Sequence, residues 1–140
     1  MNDKIFVDSN IWVYFFINDE NNKNKTTYDY ISKNIKDNNI VISYQVINEV
    51  CNVLKRKQYT EREIRSVADN MAGSCEIHNY SIVVINVASD LREIYSFSYW
   101  DSQIVASAVL SGCNILASED MQDGLRIGNL IILNPFKNII

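Results

Sequence analysis

Four short runs of this chain, Ile5–Val7, Ile40–Ser43, Ile115–Ala117 and Leu130–Leu133, are apolar almost without interruption, and stretches of helical periodicity separate them. A strand with one wet face alternates apolar and polar residues, so a run that does not alternate predicts a strand covered on both faces. Such strands alternating with helices imply a parallel sheet with helices on both faces. With Glu76–Tyr80 as a further strand, third in chain order, the pattern predicts an α/β domain whose central parallel sheet has about five strands.

The intervening segments read as follows. Ile11–Ile17 continues the first strand as a short helix, Asn18–Lys25 is a polar loop, and Thr26–Ile35 is a helix with Tyr28, Ile31 and Ile35 on one side. Tyr44–Lys57 is amphipathic, with Val46, Ile47, Val50, Val53 and Leu54 inside one arc. Thr60-Glu61-Arg62-Glu63 has the capping-box pattern, predicting a helix from there to about Met71. Ser81–Tyr95 carries both strand and helix signals; helix keeps the alternation intact. Asp101–Ser111 is a helix that buries Ile104, Val105 and Ala108, uses small residues to approach the sheet, and ends at Gly112.

At 140 residues and 47% hydrophobic content the chain suits one domain, spanning 1–140. No apolar run is long enough to span a bilayer, and the polar Asp8-Ser9-Asn10 interrupts any signal-peptide pattern, so a cytoplasmic location is expected. Cys51, Cys75 and Cys113 form no CxxC and read as small buried residues. Cys75 and His78 are three apart, which on a strand sends them to opposite faces; His78 is read as a strand residue, not a zinc ligand. The net charge of −4 argues against bulk electrostatic binding of nucleic acid but leaves room for a local patch at Lys55-Arg56-Lys57, with Arg62 and Arg65 nearby.

In open α/β sheets, ligands bind beyond the carboxyl ends of the strands. Two strands end in acids there: "IFVD" at Asp8 and "ILASED" at Glu119-Asp120. Asp101 stands at a helix start, and Glu49 about one turn into the helix after "IVIS", at the edge of its apolar arc. Each acid alone has a structural explanation: Asp8 or Ser9 as a helix cap, Ser98-x-x-Asp101 as a capping box, Glu49 as a solvated helix residue, Asp120 and Asp123 as turn residues. Together they are harder to account for that way. Two like charges about 4 Å apart cost roughly 4 kcal/mol at an effective dielectric near 20, so a cluster calls for cations. Oxygen donors without His or Cys select Mg²⁺ or Mn²⁺, and an open site of that kind suits phosphate chemistry.

These residues resemble the PIN-domain nucleases. Asp8-Ser9-Asn10 after a short strand is similar to the family's opening motif, Glu49 in "VINEV" to its second acid, and "SYWDSQIVASA" to the helix start that carries the third. "LASEDMQDG" followed by "LIILNPF" is similar to the fourth-acid strand and closing segment, with Asp120 in the Ser-x-Asp position and Glu119 and Asp123 as neighbours. The resemblance covers Ile5 to Phe136 and is strongest to the small VapC-type toxins of type II toxin–antitoxin modules.

That resemblance implies a metal-dependent endoribonuclease. Asp8, Glu49, Asp101 and Asp120 would hold one or two Mg²⁺ or Mn²⁺ ions, with Ser9 and Asn10 orienting Asp8 or a water. It further implies an RNA substrate of the tRNA or rRNA class, 5′-phosphate and 3′-hydroxyl products, a small antitoxin covering the acidic cleft, and a homodimer. Lys55, Arg56 or Arg62 would position flanking phosphates. Two other readings stay open: a phosphoryl-transfer domain of the HAD-like phosphatase or receiver type, and a catalytically silent binding module on the same fold. The phosphatase motif would need Asp where this chain has Asn10, and a receiver would need a mid-chain phosphoacceptor that "IVIS" and "EIHNY" do not offer.

Overall fold

The computed structural model describes residues 3–17 and 23–137. Its strands are β1 (Ile5–Val7), β2 (Ile40–Ser43), β3 (Glu76–His78), β4 (Ile115–Ala117), β5 (Arg126–Ile127) and β6 (Leu130–Leu133). The helices are α1 (Ser9–Phe16), α2 (Lys23–Lys36), α3 (Tyr44–Arg56), α4 (Glu61–Ser74), α5 (Ile82–Ile94) and α6 (Tyr99–Leu110). One sheet in the order β3-β2-β1-β4-β6-β5 holds all six strands, every pairing parallel except β5 with β6. From β1 the chain steps outward to β2 and β3, then returns across the sheet to β4. Right-handed crossovers therefore put α1 to α4 on one face and α5 and α6 on the other.

The non-alternating runs behave as their composition requires. Every residue of β1, β2 and β4 is buried, and Phe6, Ile42, Leu116 and Ile132 are fully enclosed. Helix α6 crosses the sheet over β2 and β4 beneath α5, and Ser102 to Ala108 are buried on all sides. The small side chains Ala106, Ser107 and Ala108 are what permit this fit. Gly112, at φ +76°, ends the helix in a Schellman motif, its N–H bonding to Val109 O at 3.1 Å and that of Cys113 to Ala108 O at 3.1 Å. The Thr60 capping box forms in both directions, at 2.9 and 3.1 Å, and α4 runs on to Ser74, three residues beyond the expected Met71. His78 closes the edge strand β3 opposite Ser43.

The sheet of about five strands is present, extended by a two-residue antiparallel strand, β5, which pairs with β6 through the turn Gly128-Asn129, where Gly128 has φ +57°. Two expectations about helix starts need correction. Helix α2 begins at Lys23, so Lys23-Asn24-Lys25 are helical where a loop was expected, while Asn18 to Asn22 lie outside the described residues. Asn24 explains the early start, because its side-chain amide donates to Tyr14 O at 2.7 Å and Ile17 O at 3.1 Å, closing carbonyls at the end of α1. Finally, α6 begins at Tyr99 and not at Asp101, since Ser98 is the cap and accepts from Asp101 N at 3.1 Å.

Candidate active site

The chain leaves β1 toward one edge of the sheet and leaves β4 toward the other, so the crevice beyond their carboxyl ends is the topological switch point. Asp8 is the first residue past β1 and is only 6% exposed. It is also the N-cap of α1, so the capping and site readings coincide in one residue. Its Oδ1 accepts from Ser9 N at 2.8 Å, and its Oδ2 accepts from the buried Ser118 hydroxyl, just past β4, at 2.8 Å. Burial dominates all the same and pushes the Asp8 carboxyl up to about 6, helped by the charges of Glu49 and Asp101.

The other acids arrive from separate elements. Glu49, on α3, is half-buried; burial raises its pKa, as does the charge of Asp101, against hydrogen bonds from Gln45 and Ser9. Asp101, in the first turn of α6, is raised by burial and by the charge of Asp120, with Ser98 opposing. Asp120 is exposed in the loop after β4, and the Asn10 amide donates to its Oδ2 at 3.0 Å. The Asn10 carbonyl oxygen accepts from Glu119 N at 3.3 Å, so Asn10 tethers the β4 loop. Ser9 N thus holds Asp8, and Asn10 holds Asp120.

The two neighbouring acids are engaged elsewhere. Glu119 is paired with the Lys23 ammonium and accepts from the Tyr14 hydroxyl at 2.8 Å. Asp123 accepts from Asn134 N at 2.8 Å, tying the loop to the end of β6. Ser118 is the functional residue that sequence reasoning did not single out. It stands as the Ser of the Ser-x-Asp pattern, and only the three-dimensional path of β4 beside β1 reveals its partner.

The residues present suit a hard divalent cation. The donors are all carboxylate oxygens, Glu49 Oε1 is buried without a hydrogen-bond partner, and the coupled acids resist ionisation together. Among the described residues, no three His, Cys, Asp or Glu side chains already stand close enough to grip an ion. Beside Ser9, Asn10 and Asp120 lies a groove of about 490 Å³ that Lys57 also lines. Of the basic patch, Lys55 instead pairs with Glu61 at 2.8 Å on the surface.

The PIN domain family profile matches residues 5–123, and the chain belongs to the PIN domain family. The phosphatase and receiver readings of the fold fall with that assignment. No curated protein sequence is a match. Among solved structures, VapC20 of Mycobacterium tuberculosis, a toxin that cleaves the sarcin–ricin loop, is 17% identical with a TM-score of 0.68, covering 84% of this chain and 90% of that one. A toxin–antitoxin complex from Klebsiella pneumoniae is 19% identical with a TM-score of 0.71, covering 94% and 98%. VapBC2 from Rickettsia felis, bound to a promoter DNA fragment, is 22% identical with a TM-score of 0.69, covering 91% and 96%. At these identities the likeness is one of fold. No helix among the described residues is long and apolar enough to cross a membrane.

Proposed function

We propose that this protein is a divalent-metal-dependent endoribonuclease of the VapC type, cutting RNA phosphodiester bonds and restrained by a small antitoxin. The observation that carries this reading is a chain of like charges from four separate segments: Glu49 and Asp101 act on Asp8, Asp101 acts on Glu49, and Asp120 acts on Asp101. A fold gains no stability from packing acids whose charges oppose one another, so their convergence points to a cation and a phosphate substrate.

In this reading Asp8, Glu49, Asp101 and Asp120 would hold Mg²⁺ or Mn²⁺, which would supply positive charge beside the scissile phosphate and a more acidic water. Asp8, fixed by Ser9 N and Ser118, is the rigid member of the set; Asp120, held through Asn10, is the solvent-facing one. Lys57 draws a flanking phosphate into the groove beside Asp120. The tRNA or rRNA class of substrate and the antitoxin rest on the family and on what the toxin structures above cut or bind. A homodimer is supported by α5, where Val83 and Ile94 share one outward face at 51% and 72% exposure.

The test is cleavage of end-labelled tRNAs and rRNA fragments with Mg²⁺ or Mn²⁺, against a chelator control and an Asp101→Ala variant prepared identically. Metal-dependent cutting lost in the variant is the expected result. Equal cutting by both proteins would assign the activity to a contaminant. Metal-dependent stabilisation without cutting of any RNA would favour the silent binding module.

A further inference from the structure

A second cleft opens on the far side of Glu49 from Lys57, with different chemistry. It encloses about 670 Å³, within the ~300–1,000 Å³ typical of ligand-sized pockets. Its walls carry the rings of Tyr44, Tyr80 and Trp100, at 54%, 47% and 60% exposure. Large aromatics left this open cost solvation energy with no return from folding, and they concentrate where something binds. Trp100 directly precedes Asp101, so the platform and a site acid share one helical turn.

The platform is braced before any ligand arrives. Trp100 packs edge-to-face on Tyr99 at 5.1 Å, and the Arg92 guanidinium sits over the Tyr99 ring at 4.6 Å. Arg92 also donates to Ser102 Oγ at 2.8 Å, fixing the first turn of α6. Across the cleft, Gln45 Nε2 donates to Trp100 O at 3.2 Å, and the Tyr80 hydroxyl donates to Gln103 Oε1 at 2.6 Å. Rings held in this way lose little freedom on binding.

Charge decides what the cleft accepts. Among the described residues that line it there is no Lys or Arg, whereas Asn48 and Asn52 offer amide donors and acceptors. A phosphate has nothing to neutralise it there and would meet Glu49 in the wall; a neutral, flat, hydrogen-bonding group suits both the rings and the amides. On the ribonuclease reading above, we infer that this cleft is a base-stacking subsite, receiving one unpaired nucleobase next to the scissile phosphate while Lys57 takes the backbone on the other side. A base inside a duplex is already stacked and cannot enter, so the subsite selects single-stranded segments and loops.

Trp12 is fully buried, which makes Trp100 the fluorophore that a bound base would quench. The experiment titrates the full chain, in Ca²⁺, with a mixed-sequence single-stranded RNA octamer, its duplex, and an octamer of abasic nucleotides with the same phosphates. The single strand is expected to quench Trp100 emission and the abasic strand not to. By anisotropy of labelled octamer, Trp100→Ala weakens binding roughly five- to 150-fold, the span of one base–aromatic stack, and Trp100→Phe restores most of it. Equal binding of the abasic strand, no quenching, or wild-type affinity in Trp100→Ala each overturns the subsite. A Trp100→Ala effect confined to elution volume on size exclusion would also overturn it and assign the rings to a protein interface. Cleavage of RNA by the wild type without quenching sinks the subsite alone; quenching without metal-dependent cleavage sinks the nuclease reading alone.

Discussion

Ser118, just past β4, donates its hydroxyl to Asp8 Oδ2 at 2.8 Å, joining the ends of the two central strands within the core. Both residues are buried, so the bond is shielded from water. Ser118→Ala leaves a carboxylate oxygen without its donor, at a cost of about 1–3 kcal/mol. Urea unfolding at pH 7 is expected to show that loss, and to show less of it near pH 4, where the Asp8 carboxyl is protonated. An unchanged midpoint at pH 7 would mean the hydroxyl contributes nothing to holding Asp8.

Asp8 itself sets a pH dependence of unusual sign. Its carboxyl rises from 3.8 to about 6 on folding, so the folded chain binds the proton more tightly than the unfolded chain does. The stability this confers is complete below about pH 3.8 and is lost as pH rises through about 6. Glu49 and Asp101 are raised as well and act in the same direction. Asp8→Asn is neutral throughout, so in chelator it should match wild type near pH 4 and exceed it by about 3 kcal/mol above pH 7. Saturating Mg²⁺ or Mn²⁺ should then raise the wild-type melting temperature more than that of the variant. Parallel pH profiles and equal metal shifts would remove Asp8 from any ion site.

What could be read in advance follows from how local each signal is. The runs at Ile5–Val7, Ile40–Ser43 and Ile115–Ala117 announce buried strands because their own composition excludes a wet face. The Thr60 box and Gly112 announce helix ends by the chemistry of single residues. Strand β5 escapes because Arg126 and Ile127 make no pattern in two residues; Gly128-Asn129 is the turn signal that betrays it. The early start of α2 escapes because Asn24 is held by carbonyls of α1, a tertiary effect. The same holds at the site: the acids lie at predictable strand and helix ends, but the pairing of Asn10 with Asp120 spans 110 positions and leaves no local trace.

The choice among the three acids after β4 can be tested directly. Glu119 is occupied by Lys23 and Tyr14 and Asp123 by Asn134 N, whereas Asp120 is the one whose charge reaches Asp101. Asp120→Asn is expected to cut RNA cleavage at least about 100-fold, the scale of losing a group that stabilises transition-state charge. Glu119→Gln should keep activity within a few-fold while losing the charge in its half-buried pair with Lys23. The reverse ranking in initial rates would move the fourth acid to Glu119.

Asn10 offers the sharpest separation of positioning from stability. Its amide donates to Asp120 and its carbonyl accepts from Glu119 N, so one side chain fixes the whole β4 loop relative to α1. The Asp120 bond is exposed and the Glu119 N bond half-buried, so removing both should cost about 1–2 kcal/mol of folding stability. Supporting groups of this kind nonetheless change metal affinity by about 10–100-fold, because the ligand they steer wanders without them. Asn10→Ala is therefore expected to raise the metal concentration needed for half-maximal activity by at least about tenfold, with its melting temperature in chelator lowered only modestly. A shift in melting temperature with no change in metal requirement would make Asn10 a structural tether alone.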